Sequence, residues 1–190
     1  VGARKITDLT RIKSFEVGNK SISSKFYNQE TAFKKEYKII GEDSFEITQM
    51  INISSNQKMK ISNCIFTFTP ENWDEKSLYF SSKLGGNNAE KFYINTNVNH
   101  LENLNFNVGS KGGFSATDGN IEIGDKYKSI NFKFDPANTS FVPKIYFNKV
   151  DSSEFLLRLA FLSQDVDETF YRKSKNTKFL SSIKVTLQGV

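Results

Sequence analysis

Few side chains in this sequence are of the types that do chemistry. The only histidine is His100 and the only cysteine is Cys64. Nucleophilic catalysis needs a nucleophile beside a base, and there is no Gly-x-Ser-x-Gly elbow to present one. Cys64 sits in the strand-like apolar run 61–66, which predicts an inert core thiol. Zinc needs several His or Cys ligands, and two such residues cannot close a site. The glycine-containing run 109–113 has neither the spacing nor the following helix of a phosphate-cradling loop. No cofactor is called for.

Carboxylates are the remaining chemistry. Asp118, Glu122 and Asp125 lie close together in the chain, and Asp165, Asp167 and Glu168 form a second cluster. Three uses stay open for them. They are exposed turn acids, or oxygen ligands for calcium, although neither cluster matches the Asp-x-Asp-x-Asp-Gly loop. Or they are the acid and base of glycoside chemistry, which depends on a carboxyl separation that only a fold supplies. The single tryptophan, Trp73, is flanked by polar residues in the segment 69–76 just after a strand. Such a residue packs at a rim, or offers a flat apolar face with hydrogen-bonding neighbours on which a sugar ring stacks. Arg158 interrupts the apolar run 155–162, on the same face as Leu156 and Ala160. A guanidinium cannot shed its proton, and burying it unpaired is costly. Arg158 is therefore expected at least half buried, bonded to a carboxylate of 118–125 or 165–168, or else at the floor of a ligand groove. The binding residues to look for are thus Trp73, Asp118, Glu122, Asp125 and Arg158.

The elements that must position them are strands. Phe45, Ile47, Ile51 and Ile53 lie on one side of a period-two pattern, with Glu46, Thr48 and Asn52 on the other. Ile130, Phe132 and Phe134 alternate with Asn131, Lys133 and Asp135, and Phe179, Ile183, Val185 and Leu187 alternate with polar residues. One wet and one buried face is the mark of antiparallel sheets. The run 155–162 differs in being apolar on both faces, which predicts a central strand covered on each side. Turn chemistry at 17–20, 41–43, 55–57, 85–88, 111–113 and 118–120 separates about a dozen strands, because Gly and Asn tolerate the positive φ of tight turns. Helix is confined to a turn or two, near 71–76 or 165–170. The expectation is an all-β chain, 1–190, folded as a single antiparallel two-sheet β-sandwich with little helix.

Composition narrows the partners. The 190 residues suffice for a real core, and 18 Phe with 7 Tyr concentrate its apolar area in large side chains. One cysteine excludes a disulfide scaffold, and no run approaches the 18 apolar residues of a membrane span. The surplus of Lys and Arg, 26 against 21 acidic residues, is modest and dispersed. The densest basic stretch, 171–178, reads as a solvated loop, since no aromatic interleaving accompanies it, so no nucleic acid is expected. No leader with an apolar stretch begins at Val1, and the compartment stays open.

Several phrases together resemble one family. They are Phe33-Lys34-Lys35-Glu36-Tyr37 followed by Phe45-Glu46-Ile47, then the run from Cys64 through Phe66 and Pro70 to Trp73, then Ala116-Thr117-Asp118-Gly119 through Ile123-Gly124-Asp125, and Phe155-Leu156-Leu157-Arg158-Leu159. Across residues 10–190 they look like the β-supersandwich domains, related to galactose mutarotase, that accompany glycoside-hydrolase catalytic domains. True mutarotases work with a His/Glu pair, and His100 has no second histidine beside it. The resemblance therefore implies a non-catalytic, carbohydrate-associated sandwich that meets a poly- or oligosaccharide and a partner protein or catalytic domain. The other expectation open to the same sequence is a structural or interaction sandwich of a surface or viral assembly. A third is an enzyme acting through the carboxylate clusters.

Overall fold

The computed structural model describes residues 13–27, 31–54, 57–58, 62–94, 116–149, 155–163, 173–174 and 177–189. Within them the alternating segments form strands: β1 Ser14–Val17, β2 Ser21–Tyr27, β3 Thr31–Ile39, β4 Ser44–Ile53, β5 Gln57–Lys58, β6 Ser62–Phe68 and β7 Tyr79–Ser82. These are followed by β8 Glu90–Tyr93, β9 Asn120–Gly124, β10 Lys128–Lys133, β11 Val142–Lys149, β12 Phe155–Leu162, β13 Lys173–Ser174 and β14 Thr177–Gly189. Nine of them form one antiparallel sheet in the order β1-β2-β3-β4-β14-β10-β9-β7-β8, three form a second, β11-β12-β6, and β13 pairs with β5. The chain is a two-sheet β-sandwich.

Register shows why the alternation took the form it did. Opposite residues of antiparallel strands point to the same face, and the rows Tyr37–Ile47–Ile183 and Ile39–Phe45–Val185 put the apolar set of three adjacent strands on one side. Beyond β14 the same face continues through Phe132, Ile121, Ile123, Phe80 and Phe92. The second sheet supplies Phe68, Leu157, Leu159 and Phe161, all buried. Phenylalanines knit the layers: Phe66 packs on Phe132 with centroids 4.7 Å apart, and Phe134 meets the Phe161 edge at 5.5 Å. Such tilted and edge contacts are what aromatic quadrupoles favour. Cys64 is buried, as its apolar surroundings imply.

The turns at 18–20, 41–43 and 118–120 fall where Gly and Asn placed them, and Gly119 takes the left-handed φ of +72°. Two local readings are corrected. Residues 71–76 form consecutive turns, with Asn72 N–H donating to Thr69 O and Ser77 N–H to Asp74 O, and no helix. The basic stretch 171–178 holds β13 and the start of β14, because pairing with β5 and β4 satisfies its backbone there. The second helix site, 165–170, lies outside the described residues, as do the turn at 111–113, the acids 165–168 and His100.

One row breaks the apolar inner face. Lys35, Gln49 and Ser181 lie directly opposite one another on β3, β4 and β14, and all three are buried. Ser181 accepts a hydrogen bond from Asn63 Nδ2, reaching across from β6. Among the described residues Gln49 Oε1 has no hydrogen-bond partner. A one-residue slip would bring apolar side chains out and polar ones in, so this polar row constrains the register of three strands.

Candidate functional site

The five residues named from sequence are spread over four places. Trp73 and Asp125 come together. The loop 69–77 between β6 and β7 carries the tryptophan, and a single carboxylate anchors that loop to the β9–β10 turn. Asp125 Oδ2 accepts from Asp74 N–H at 2.9 Å, while Oδ1 accepts from Tyr127 N–H at 2.8 Å and Lys128 N–H at 3.0 Å. The carboxylate is buried, which disfavours its charge, but the three N–H groups and the nearby Lys128 outweigh that and hold its pKa below 3.8. The fit continues outward. Ser77 donates to Asp74 at 2.7 Å, Lys126 N–H donates to Ser77 Oγ, and the Lys126 ammonium lies 3.3 Å from Asp74.

Trp73 closes one end of the core. It is partly buried, it meets Phe68 edge-on with centroids 5.3 Å apart, and Lys128 Nζ stands 5.0 Å from its ring centre. A cation at that distance is attracted to the indole face. On the β9–β10 turn that Asp125 ties to this loop, the exposed Tyr127 ring carries Lys126 at 4.7 Å. Tyr127, Lys126 and Lys128 were not singled out from sequence. Their signal is the aromatic between two lysines in the short turn from β9 to β10, legible only once 125–128 is known to face the loop of Trp73.

Glu122 lies on the other side of the sheet. Its row, Asn131–Glu122–Ser81, faces away from the core. There it accepts from the Tyr79 hydroxyl at 2.6 Å. Burial and that carboxylate raise the phenol's pKa well above its ordinary value of 10.0, and Lys91 Nζ sits 3.7 Å from the ring centre. Asp118 is at the far end of β9 from Asp125, on the order of 20 Å along the strand. It caps the turn by accepting from Asn120 N–H at 3.2 Å and pairs with Lys83 at 3.6 Å. The three acids adjacent in sequence are therefore separate, and each is occupied by a structural partner. Among the described residues no group of three His, Cys, Asp or Glu could hold a metal ion, and no helix is long and apolar enough to cross a membrane.

Arg158 corrects an expectation. β12 is a central strand, between β11 and β6, but only its odd-numbered face is wholly buried. Arg158 projects from the other face, in the row Tyr146–Arg158–Thr67, and is exposed. None of the acids 118–125 pairs with it: they hold Lys83, Tyr79 and backbone N–H groups. The run is apolar on both sides because Ala160 is buried and Leu156 and Leu162 are partly covered around it, and the guanidinium occupies the open position, within reach of water. Arg158→Ala is accordingly expected to cost less than about 1 kcal/mol in urea denaturation, the range of exposed substitutions. A loss of about 3 kcal/mol or more would restore the buried pair.

No protein-family model matches the chain, and no curated protein sequence matches it. The fold and its site thus define a class and no more: a two-sheet antiparallel sandwich with an aromatic and lysine-rich rim at one end of its core.

Proposed function

We propose that the chain is a non-catalytic, carbohydrate-associated β-sandwich, either a glycan-binding module or the β domain of a polysaccharide-processing protein. The observation that carries this reading is the junction of two aromatic-bearing segments, the loop of Trp73 and the turn of Tyr127, held together through Asp125. Asp74 and Lys126 stand alongside with charged hydrogen-bonding groups. Sugars are recognised by apolar ring faces bordered by fixed polar groups. Of the two acid clusters named from sequence, the described one supports a non-catalytic role, since Asp118, Glu122 and Asp125 are each committed to a turn cap, a phenol or three backbone N–H groups. Affinity electrophoresis on α- and β-glucans is expected to show retardation that Trp73→Ala removes and Tyr127→Ala weakens. Unretarded migration of the unaltered protein across the panel would overturn the reading.

A second reading, a structural or interaction sandwich, is favoured by a different feature. The inner face of β1, β2 and β3 is apolar and in part uncovered.

A further inference from the structure

Among the described residues the nine-stranded sheet is wider than the layer of strands that covers it. β11, β12 and β6 supply three strands against nine. At the β1 end the core-facing rows run on into solvent. The row Val17–Ile22–Tyr37 continues directly into buried Ile47 and Ile183, and Ile39 continues into Phe45 and buried Val185. Yet Val17 is 71% exposed, Phe15 58%, Ile39 57%, Ile22 44% and Tyr37 42%. Scattered exposed apolar residues are ordinary, but five large ones on one face of three paired strands are a patch.

We infer that this face is where a second copy of the chain packs, the two overhangs stacked face to face about a two-fold axis. The inference rests on the interaction reading and is independent of Trp73. Three observations select a second copy. First, charge permits self-stacking. The charged side chains Glu16, Lys25, Lys34, Glu36 and Lys38 all lie on the opposite face of these strands. The one charged residue on the apolar face, Lys35, is buried, with its ammonium 5.3 Å from the Tyr37 ring centre. No like charges meet when the patch faces itself.

Second, the area is adequate. Two aromatic and three aliphatic side chains exposed to this degree present on the order of 500 Å² of apolar surface. A two-fold pairing would remove about 1,000 Å² from water, the lower bound for a specific interface. Third, the missing piece has the shape of what the molecule already offers. Sandwich layers stack about 10 Å apart with interdigitating side chains. Among the described residues no second layer of strands covers the overhang, and the partner's β1–β3 is such a layer. An isologous patch of this kind closes as a dimer, so the interface does not propagate.

The test is sedimentation velocity of the full chain from about 1 to 100 μM, with Val17→Glu and Ile22→Glu as variants. Both sites are exposed, and circular dichroism and thermal unfolding report whether the variants fold. The expected result is a monomer–dimer equilibrium with a midpoint in the micromolar range, weakened at least tenfold by either folded variant. If a variant fails to fold, Tyr37→Ser replaces it. A dimer indifferent to the folded variants overturns the inference. So does a monomer at 100 μM, and binding of an apolar dye then separates the two levels. Dye fluorescence lost in Val17→Glu leaves the face free for another protein, as the interaction reading requires. Dye fluorescence absent from the unaltered monomer overturns that reading as well.

Discussion

Asp125→Ala is expected to lower the unfolding free energy by about 3–4 kcal/mol in chemical denaturation, because it strands three backbone N–H groups at once. The donors of Asp74, Tyr127 and Lys128 converge on its two oxygens within 3.0 Å, and the site is buried. Asp125→Asn tests the assignment. One amide oxygen can still accept from Tyr127 and Lys128, but the NH₂ group then faces the Asp74 N–H, donor against donor. About half of the loss should return. Because the loop 69–77 is tied down through this carboxylate, tryptophan fluorescence should report its release, and any glycan retardation through Trp73 should weaken in parallel. A loss below about 1 kcal/mol would mean that water replaces the carboxylate.

The same group sets a pH dependence. Its folded pKa lies below 3.8, the ordinary aspartate value, so folding favours the ionised form. The stabilisation is complete above the unfolded pKa and is lost as pH falls through the folded one. Asp74 and Asp135 are also held low, by Ser77 and by Asn138 foremost. The difference in stability between the unaltered protein and Asp125→Asn is therefore the informative curve: flat above pH 5 and shrinking below pH ~4.

How much of this was legible in the sequence differs from element to element. The alternation of 45–53, 130–134 and 179–187 gave the strands and their faces, since a period of two needs only neighbours along the chain. It did not flag Gln49 or Ser181. A polar residue at a core-facing position is a gap in one strand, and it becomes a row only when register sets it beside Lys35. The central placement of β12 was legible from its apolar run. The exposure of Arg158 was not, because it depends on what lies over the outer face, which is not local. The acids 118–125 looked like one cluster because they are close in the chain. An extended strand with its side chains alternating between faces is what pulls them apart, to a turn, an outer face and a loop anchor. The Trp73 loop and Asp125 come together through the Asp74–Asp125 bond, across 51 residues of separation, and through the pairing of β7 with β9 that sets Tyr79 opposite Gly124. No spacing rule reaches that far.

Gly119→Ala is expected to be as damaging as the loss of the Asp125 anchor, at about 3–4 kcal/mol, and for two separable reasons. The residue holds φ at +72°, where an alanine pays about 1–2 kcal/mol for the contact of its Cβ with the following carbonyl. The turn is also stitched to the chain leaving β10. Gly119 N–H donates to Ala116 O at 3.1 Å, and Gly119 O accepts from Phe134 N–H at 2.8 Å. A Cβ here would stand 1.9 Å from Phe134 O and 2.8 Å from Pro136 Cδ, so backbone must move away from backbone. Moving Phe134 disturbs its ring contact with Phe161, which joins the two sheets. Gly119→Asn separates the causes. Asparagine tolerates the left-handed region but carries the same Cβ. If φ alone mattered, Asn would cost about 1 kcal/mol or less. The close approach to Phe134 predicts that Asn is nearly as destabilising as Ala, and thermal unfolding of the two variants side by side decides between them.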